Sequence, residues 1–158
     1  MNTGTLLQTL IVLHLSGLVI MAGTTLVDYT LFKTFWKQFE QDKEKAIGIL
    51  QAATKFSRLI GIGAALLILT GIGMMALTNG VFGEQLWFRI KFALVILLIL
   101  NGTLIGRRQA LKFRKFYLDG NIDTTGQVNR FKTRLNTFYL VQLAIFLTII
   151  FLSVFKFN

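Results

Sequence analysis

Four long apolar segments alternate with polar and basic stretches along the chain. They cover residues 6–35, 59–77, 86–105 and 138–155. Each is long enough to cross the hydrocarbon core of a bilayer, which takes about 20 residues of helix. The absence of proline from the sequence favours uninterrupted helices. The pattern predicts transmembrane helices over about 5–35, 57–78, 85–115 and 134–156. Between the first two, Phe35, Trp36 and Phe39 alternate with charged residues, and we expect this stretch to extend both helices past the membrane as a solvated hairpin anchored by Trp36.

These helices predict an all-α fold, an integral membrane four-helix up-and-down bundle in which residues 1–158 form a single transmembrane domain. The composition agrees, because 54% of the residues are hydrophobic and only 15% are charged, whereas about a quarter are charged in soluble domains. The N-terminus lacks a basic region and a small-residue cleavage site, so we expect the first segment to be retained. The lipid bilayer is therefore the first predicted partner.

The first segment contains the only histidine of the sequence, His14, among mostly aliphatic residues. On a helix, residues at three- and four-residue steps share one face with His14. They are Gly17, Met21, Thr24, Thr25 and Asp28. A carboxylate at the centre of a membrane helix costs on the order of 3 kcal/mol, so ionisable groups there need a structural or functional reason.

Several interpretations of this inner stripe are open. His14 hydrogen-bonds a neighbouring helix, ligates a metal or haem iron, or relays protons along the stripe toward Asp28. Met21 adds copper handling as an alternative, because thioethers suit Cu(I). Met74 and Met75 argue against copper, since adjacent residues do not share a helix face. The absence of cysteine excludes disulfides and thiolate ligation of zinc, haem or iron–sulfur clusters.

The net charge of +10 reflects basic connections in a hydrophobic chain, which indicates membrane topology and no nucleic-acid partner. Most of the 17 Lys and Arg residues lie between the first and second segments and between the third and fourth. Basic loops stay in the cytoplasm. The sequence thus predicts a multi-pass protein of the cytoplasmic (inner) membrane, with basic loops inside and both termini outside.

The second and third segments offer two further features. Small residues recur in the second segment, which indicates close helix packing or space for a flat cofactor. Ser57, Gly61 and Ala65 lie four residues apart, and Gly63, Gly71 and Gly73 add to them. Near the start of the third segment, Arg89 and Lys91 follow Trp87. Their cations either snorkel beside the tryptophan or pair with the propionates of a haem held by His14.

Three short elements together resemble a known group of membrane proteins. They are His14 in LIVLHLSGL, the W-x-x-x-K element of Trp87 and Lys91, and Arg-Leu-Asn at Arg134. The chain resembles the HemJ-like protoporphyrinogen IX oxidases and the neighbouring CopD-like and DUF2269-type small integral membrane proteins. The resemblance implies haem b binding, an oxidoreductase role and, in HemJ itself, oxidation of a porphyrinogen. Four segments without a clear fifth distinguish this chain from HemJ and favour haem binding over that reaction.

Residues and resemblance together predict a haem-b-binding membrane redox protein. His14 is the expected iron ligand, Lys91 and Arg89 the propionate partners, and Gly17 and Met21 further cofactor contacts. The expected partners are porphyrin or haem and a second copy of the chain in a homodimer. No catalytic residue follows from the sequence. The alternative is a non-catalytic membrane subunit, a small permease or a copper-handling protein without haem.

Overall fold

The computed structural model describes residues 2–39, 41–102 and 125–155, where all regular secondary structure is helical. The chain divides into two compact units, Met1–Glu84 and Gln85–Asn158. Three described helices are long and apolar enough to cross a membrane. They are Thr3–Phe39, Glu44–Leu77 and Val128–Val154. This confirms the all-helical, membrane-compatible part of the predicted fold.

The first unit is an antiparallel hairpin of α1 (Thr3–Phe39) and α2 (Lys43–Leu77), followed by a short 3₁₀ turn at Val81–Glu84. Gly73 lies against Leu10, and Gly63 lies against Gly17. Residue numbers thus rise along α1 as they fall along α2, so the two helices are antiparallel. At 1.5 Å per residue, the 37 residues of α1 span about 55 Å, well beyond a hydrocarbon core of about 30 Å. The helix is therefore longer than a membrane span requires.

The turn between α1 and α2 is closed by Asp42, the N-cap of α2. Its Oδ1 accepts hydrogen bonds from the backbone N–H groups of Glu44 (3.0 Å) and Lys45 (3.2 Å), and the Lys45 ammonium lies 3.2 Å from Oδ2. These hydrogen bonds, that from the Lys45 backbone first, hold the pKa of the Asp42 carboxyl below its ordinary value of 3.8. Because the cap starts α2 at Lys43, the helix begins well before the apolar segment that predicted it.

A small aromatic core packs the hairpin next to this turn. Phe35 and Trp36 are buried, with ring centroids 5.3 Å apart, and Ala46 of α2 is fully enclosed. Phe39 stacks against both rings. This packing keeps the two helices together beyond the apolar segments.

The second unit contains α3 (Leu86–Leu100) and a long helix, α4 (Thr125–Val154). Residues 101 and 102 continue α3 in a π-helical conformation. The predicted continuation of this helix to residue 115 lies mostly outside the described residues, as does residue 156. The core of the unit is apolar. It includes Leu98, Leu135, Ile145, Phe146, Ile149 and Leu152.

Large apolar side chains face outward in both units. Val19 of α1, Leu69 of α2 and Leu147 of α4 are each about 70% exposed. Continuous apolar surface of this kind marks a membrane or protein contact. On helices of this length and hydropathy it indicates contact with lipid.

Candidate functional site

His14 lies in the α1–α2 interface, where its side chain is half-buried. Its Nδ1 is 2.8 Å from the Thr70 hydroxyl oxygen of α2. That hydroxyl donates its single proton to the Leu66 carbonyl oxygen at 2.6 Å, with Leu67 O further away at 3.3 Å. A hydroxyl that donates to Leu66 O can accept from Nδ1–H of the imidazole.

One helical turn toward the α1–α2 connection, the two helix backbones meet. A Cβ added to Gly17 would lie 3.2 Å from Gly63 O, and a Cβ added to Gly63 would lie 3.0 Å from Gly17 O and from the Met21 backbone N. Both glycines and Met21 are buried. This glycine layer, formed by Gly17, Gly63 and Met21, uses the small residues for close helix packing, and a planar guest has no place between the helices there.

On the other side of His14 the interface is also filled. Gly71 faces the imidazole, since a Cβ on Gly71 would lie 3.7 Å from His14 Cε1. A Cβ on Gly73 would lie 3.2 Å from Leu10 Cδ1. Thr70 and Gly71 of α2 thus both lie against the His14 ring.

Gly63, Gly71 and Gly73, which were among the small residues predicted to pack closely, face α1. Gly61 and Ala65 are exposed, and a Cβ on Gly61 would have no heavy atom within 4 Å. Gly63, two residues further, points at α1 instead. Close packing by small residues in α2 is confirmed, but not on the face of Gly61 and Ala65.

The predicted inner stripe of α1 is confirmed as a buried face over Gly17, Met21, Thr24 and Thr25. Both threonine hydroxyls donate to carbonyl oxygens of their own helix, Thr24 to Ile20 and Thr25 to Met21. Asp28 is half-buried. Between Thr24 and His14, the stripe consists of the buried Gly17 and Met21.

Arg89 and Lys91 lie in the first turns of α3, in the other unit. Arg89 is exposed and Lys91 half-buried, next to the buried Trp87. The Trp87 Nε1–H donates to the Gln85 side-chain oxygen. This placement near a helix start, beside a tryptophan, is typical of residues at a membrane–water interface.

Two polar features of the interfaces were not assigned a role from sequence. Thr70, the partner of His14, is a single polar residue in an apolar run. Its position in that run is the only feature of the sequence that could have pointed to a polar contact. Asn101 and Gln142 are both buried in the second unit and hydrogen-bonded to each other at 2.8 Å. Their signal is stronger, because side-chain amides inside membrane segments need partners.

Among the described residues, no group of three or more His, Cys, Asp or Glu side chains is placed to hold a metal ion. Comparisons with protein-family models, with curated proteins and with solved structures found no match.

Proposed function

We propose that the protein is a membrane haem b protein with a redox role, in which His14 is an axial ligand of the iron. One observation supports this most directly, the hydrogen bond from His14 Nδ1–H to Thr70 (2.8 Å). Metal-ligating histidines generally donate their second ring N–H to a fixed acceptor, which orients the ring and sets the tautomer. The Thr70 hydroxyl is placed to be that acceptor.

The residues present fit such a group in a defined way. In this proposal a ring nitrogen of the half-buried His14 would ligate the iron. The close contact of Gly17 with Gly63 leaves no room for the group between α1 and α2 at that level. When bound, haem supplies one-electron chemistry. Thr70 keeps the imidazole in place, and the close packing of Gly17 against Gly63 keeps water from reaching the ring from the Asp28 side.

The resemblance to HemJ-like proteins supports two further parts of the proposal. Lys91 and Arg89 pair with the propionates, because the W-x-x-x-K element that includes Lys91 is shared with that group. A porphyrinogen is the substrate class that the same resemblance suggests. Gly17 and Met21 act through helix packing, with Met21 holding the layer below the ring.

We also propose the topology expected from the charge distribution. The four helices form an up-and-down bundle in the cytoplasmic membrane, with the α1–α2 turn inside and both termini outside. Two copies form a homodimer. Exposed glycines such as Gly23 and Gly61, where a Cβ would meet nothing within 4 Å, are suited to close approach by a second chain.

The absorption spectrum of the detergent-solubilised protein tests the haem proposal. We expect a Soret band in the wild-type protein that is lost in His14→Ala and in His14→Gln. A glutamine retains an N–H donor for Thr70 but is a poor iron ligand, so it separates ligation from helix packing. In Lys91→Gln we expect the band to remain but the haem to dissociate more readily.

A second candidate function is a non-catalytic membrane subunit without haem. The contact of the imidazole with Thr70 and Gly71 favours it, because this contact alone accounts for a histidine between two helices. A colourless wild-type protein would select this function. His14→Ala would then lower thermal stability, and His14→Gln would restore part of it.

A further inference from the structure

The second unit contains a buried amide pair, Asn101 of the π-helical turn and Gln142 at the middle of α4. Asn101 Nδ2 donates to Gln142 Oε1 at 2.8 Å. The side chains are only 9% and 3% exposed, and the neighbouring Leu98, Ile145 and Phe146 form the apolar core of the unit. Two uncharged polar side chains are therefore enclosed in a segment that otherwise suits lipid.

The hydrogen-bonding capacity of this pair exceeds the one bond that it makes. A side-chain amide has two N–H donors and a carbonyl acceptor. Within the described parts of the chain, the bond between Asn101 and Gln142 is the only hydrogen bond of either side chain. The Gln142 Nε2 protons and the Asn101 Oδ1 lone pairs are thus available to a ligand that presents an acceptor and a donor.

Gly102 leaves space beside the Gln142 amide. Among the described residues, a Cβ added to Gly102 would have Gln142 Nε2 as its one neighbour within 4 Å, at 3.9 Å. Any larger residue would place its side chain against the amide. Gly102 also belongs to the π-helical turn, and π-helical turns within α-helices are frequent at functional sites.

We propose that the amide pair of Asn101 and Gln142 binds the head group of a lipid-soluble quinone or its quinol. Gln142 Nε2 donates to a quinone carbonyl, and Asn101 Oδ1 accepts from a quinol hydroxyl. The amides are uncharged and enclosed in apolar surroundings, so the ligand they suit is neutral and arrives through the membrane. This proposal does not require His14 to bind haem, since it depends only on the second unit.

Photolabelling of the full-length protein in liposomes with a short-chain azidoquinone tests the site. We expect saturable labelling of peptides that include residues 98–102 or 138–146, competed by unlabelled quinone. Gln142→Leu should weaken binding about tenfold, the effect of losing one good hydrogen bond in an apolar site. Thr148→Val is the matched control on α4, because the Thr148 hydroxyl is exposed and bonds to Ala144 O of its own helix. It should leave labelling unchanged.

Gly102→Leu separates ligand binding from helix packing. It covers Gln142 Nε2 but removes neither amide, so we expect labelling to be lost while thermal stability stays near the wild-type value. Gly126→Leu adds the same side chain at a glycine of this unit with open surroundings. It should bind like the wild type.

Three results would overturn the quinone site. The first is wild-type labelling that does not saturate or that maps elsewhere in the chain. The second is unchanged labelling in Gly102→Leu. The third is a Gln142→Leu variant that folds and still binds with wild-type affinity.

Discussion

At the scale of single residues, helical periodicity predicted which side chains of α1 turn inward. Gly17, Met21, Thr24 and Thr25 are buried as their three- and four-residue spacing indicates. The partner of His14 was not predictable in the same way. The residue of α2 that faces His14 depends on the register of α2 against α1. A single sequence does not give this register, so several positions of α2 were equally good candidates. The backbone contact of Gly17 with Gly63 sets that register and brings Thr70 to the ring.

The Thr70 hydroxyl is expected to stabilise the hairpin through His14. Thr70→Val keeps the shape of the side chain but removes the acceptor of the Nδ1 proton. We expect a loss of about 1 kcal/mol in the free energy of unfolding, since cross-helix hydrogen bonds in membrane proteins are of this size. Unfolding in mixed micelles measures it.

Thr30→Val is the control for this change in α1. The Thr30 hydroxyl is exposed and bonds to Leu26 O of its own helix, at 3.0 Å. An equal loss in Thr30→Val would show that the bond to His14 contributes nothing specific. If haem is bound, Thr70→Val should also shift the spectrum, because the ring loses its fixed orientation.

At the scale of elements, the sequence predicted that the first two helices extend beyond their apolar segments, but not where each one ends. The apolar segments indicated helices near 5–35 and 57–78, whereas α1 and α2 reach Phe39 and Lys43. An apolar run indicates the part of a helix that contacts lipid. The rest of each helix is stabilised by contacts that cannot be inferred from hydropathy. These contacts are the Asp42 cap and the buried cluster of Phe35, Trp36 and Ala46.

Substitution of Gly63 is expected to separate α1 from α2. In Gly63→Ala the new methyl group would lie 3.0 Å from Gly17 O and from the Met21 backbone N, and neither atom belongs to a side chain that can rotate away. We expect destabilisation of about 1–3 kcal/mol, as for overpacking of a tight interface. Gly61→Ala, where no heavy atom lies within 4 Å, should be neutral or slightly stabilising. Equal unfolding midpoints in the two variants would contradict the contact.

The Asp42 cap predicts a pH dependence of hairpin stability. The folded pKa of this carboxyl is lowered from 3.8 by hydrogen bonds from the backbone N–H and ammonium of Lys45. Its stabilising effect is therefore complete above the unfolded pKa and is lost as the pH falls through the lower folded value. Asp42→Asn can still accept both backbone bonds but does not titrate.

Unfolding curves of the wild type and Asp42→Asn, recorded from about pH 6 to pH 2, test this dependence. The wild type should lose stability relative to the variant only in the acidic part of this range. A constant difference at all pH values would exclude the charged cap as its source.

At the scale of the whole molecule, the outward apolar faces of both units agree with the membrane protein that composition predicted. The arrangement of four helices in one bundle, the haem and the homodimer stay predictions, and so does orientation. The orientation in the membrane is set during insertion, when basic loops are retained in the cytoplasm. It therefore follows from the charge distribution and not from the fold.

Single-cysteine variants test the orientation, because the natural sequence has no cysteine. Lys45 at the start of α2 and Val81 beyond its end are both exposed. In intact cells we expect an impermeant maleimide to label Val81→Cys and to reach Lys45→Cys only after permeabilisation. The reverse pattern would invert the topology, and labelling of both from outside would exclude α2 as a membrane span.

The two tryptophans of the sequence are divided between the units, with Trp36 buried in the hairpin and Trp87 buried in the second unit. Each unit thus contains one intrinsic fluorophore of its own. Replacing either indole by phenylalanine leaves an emission signal from a single half of the chain, so the melting of each half can be followed without an added dye. Coincident emission transitions would show that the halves fold as one cooperative body, and separate transitions that they are thermodynamically independent.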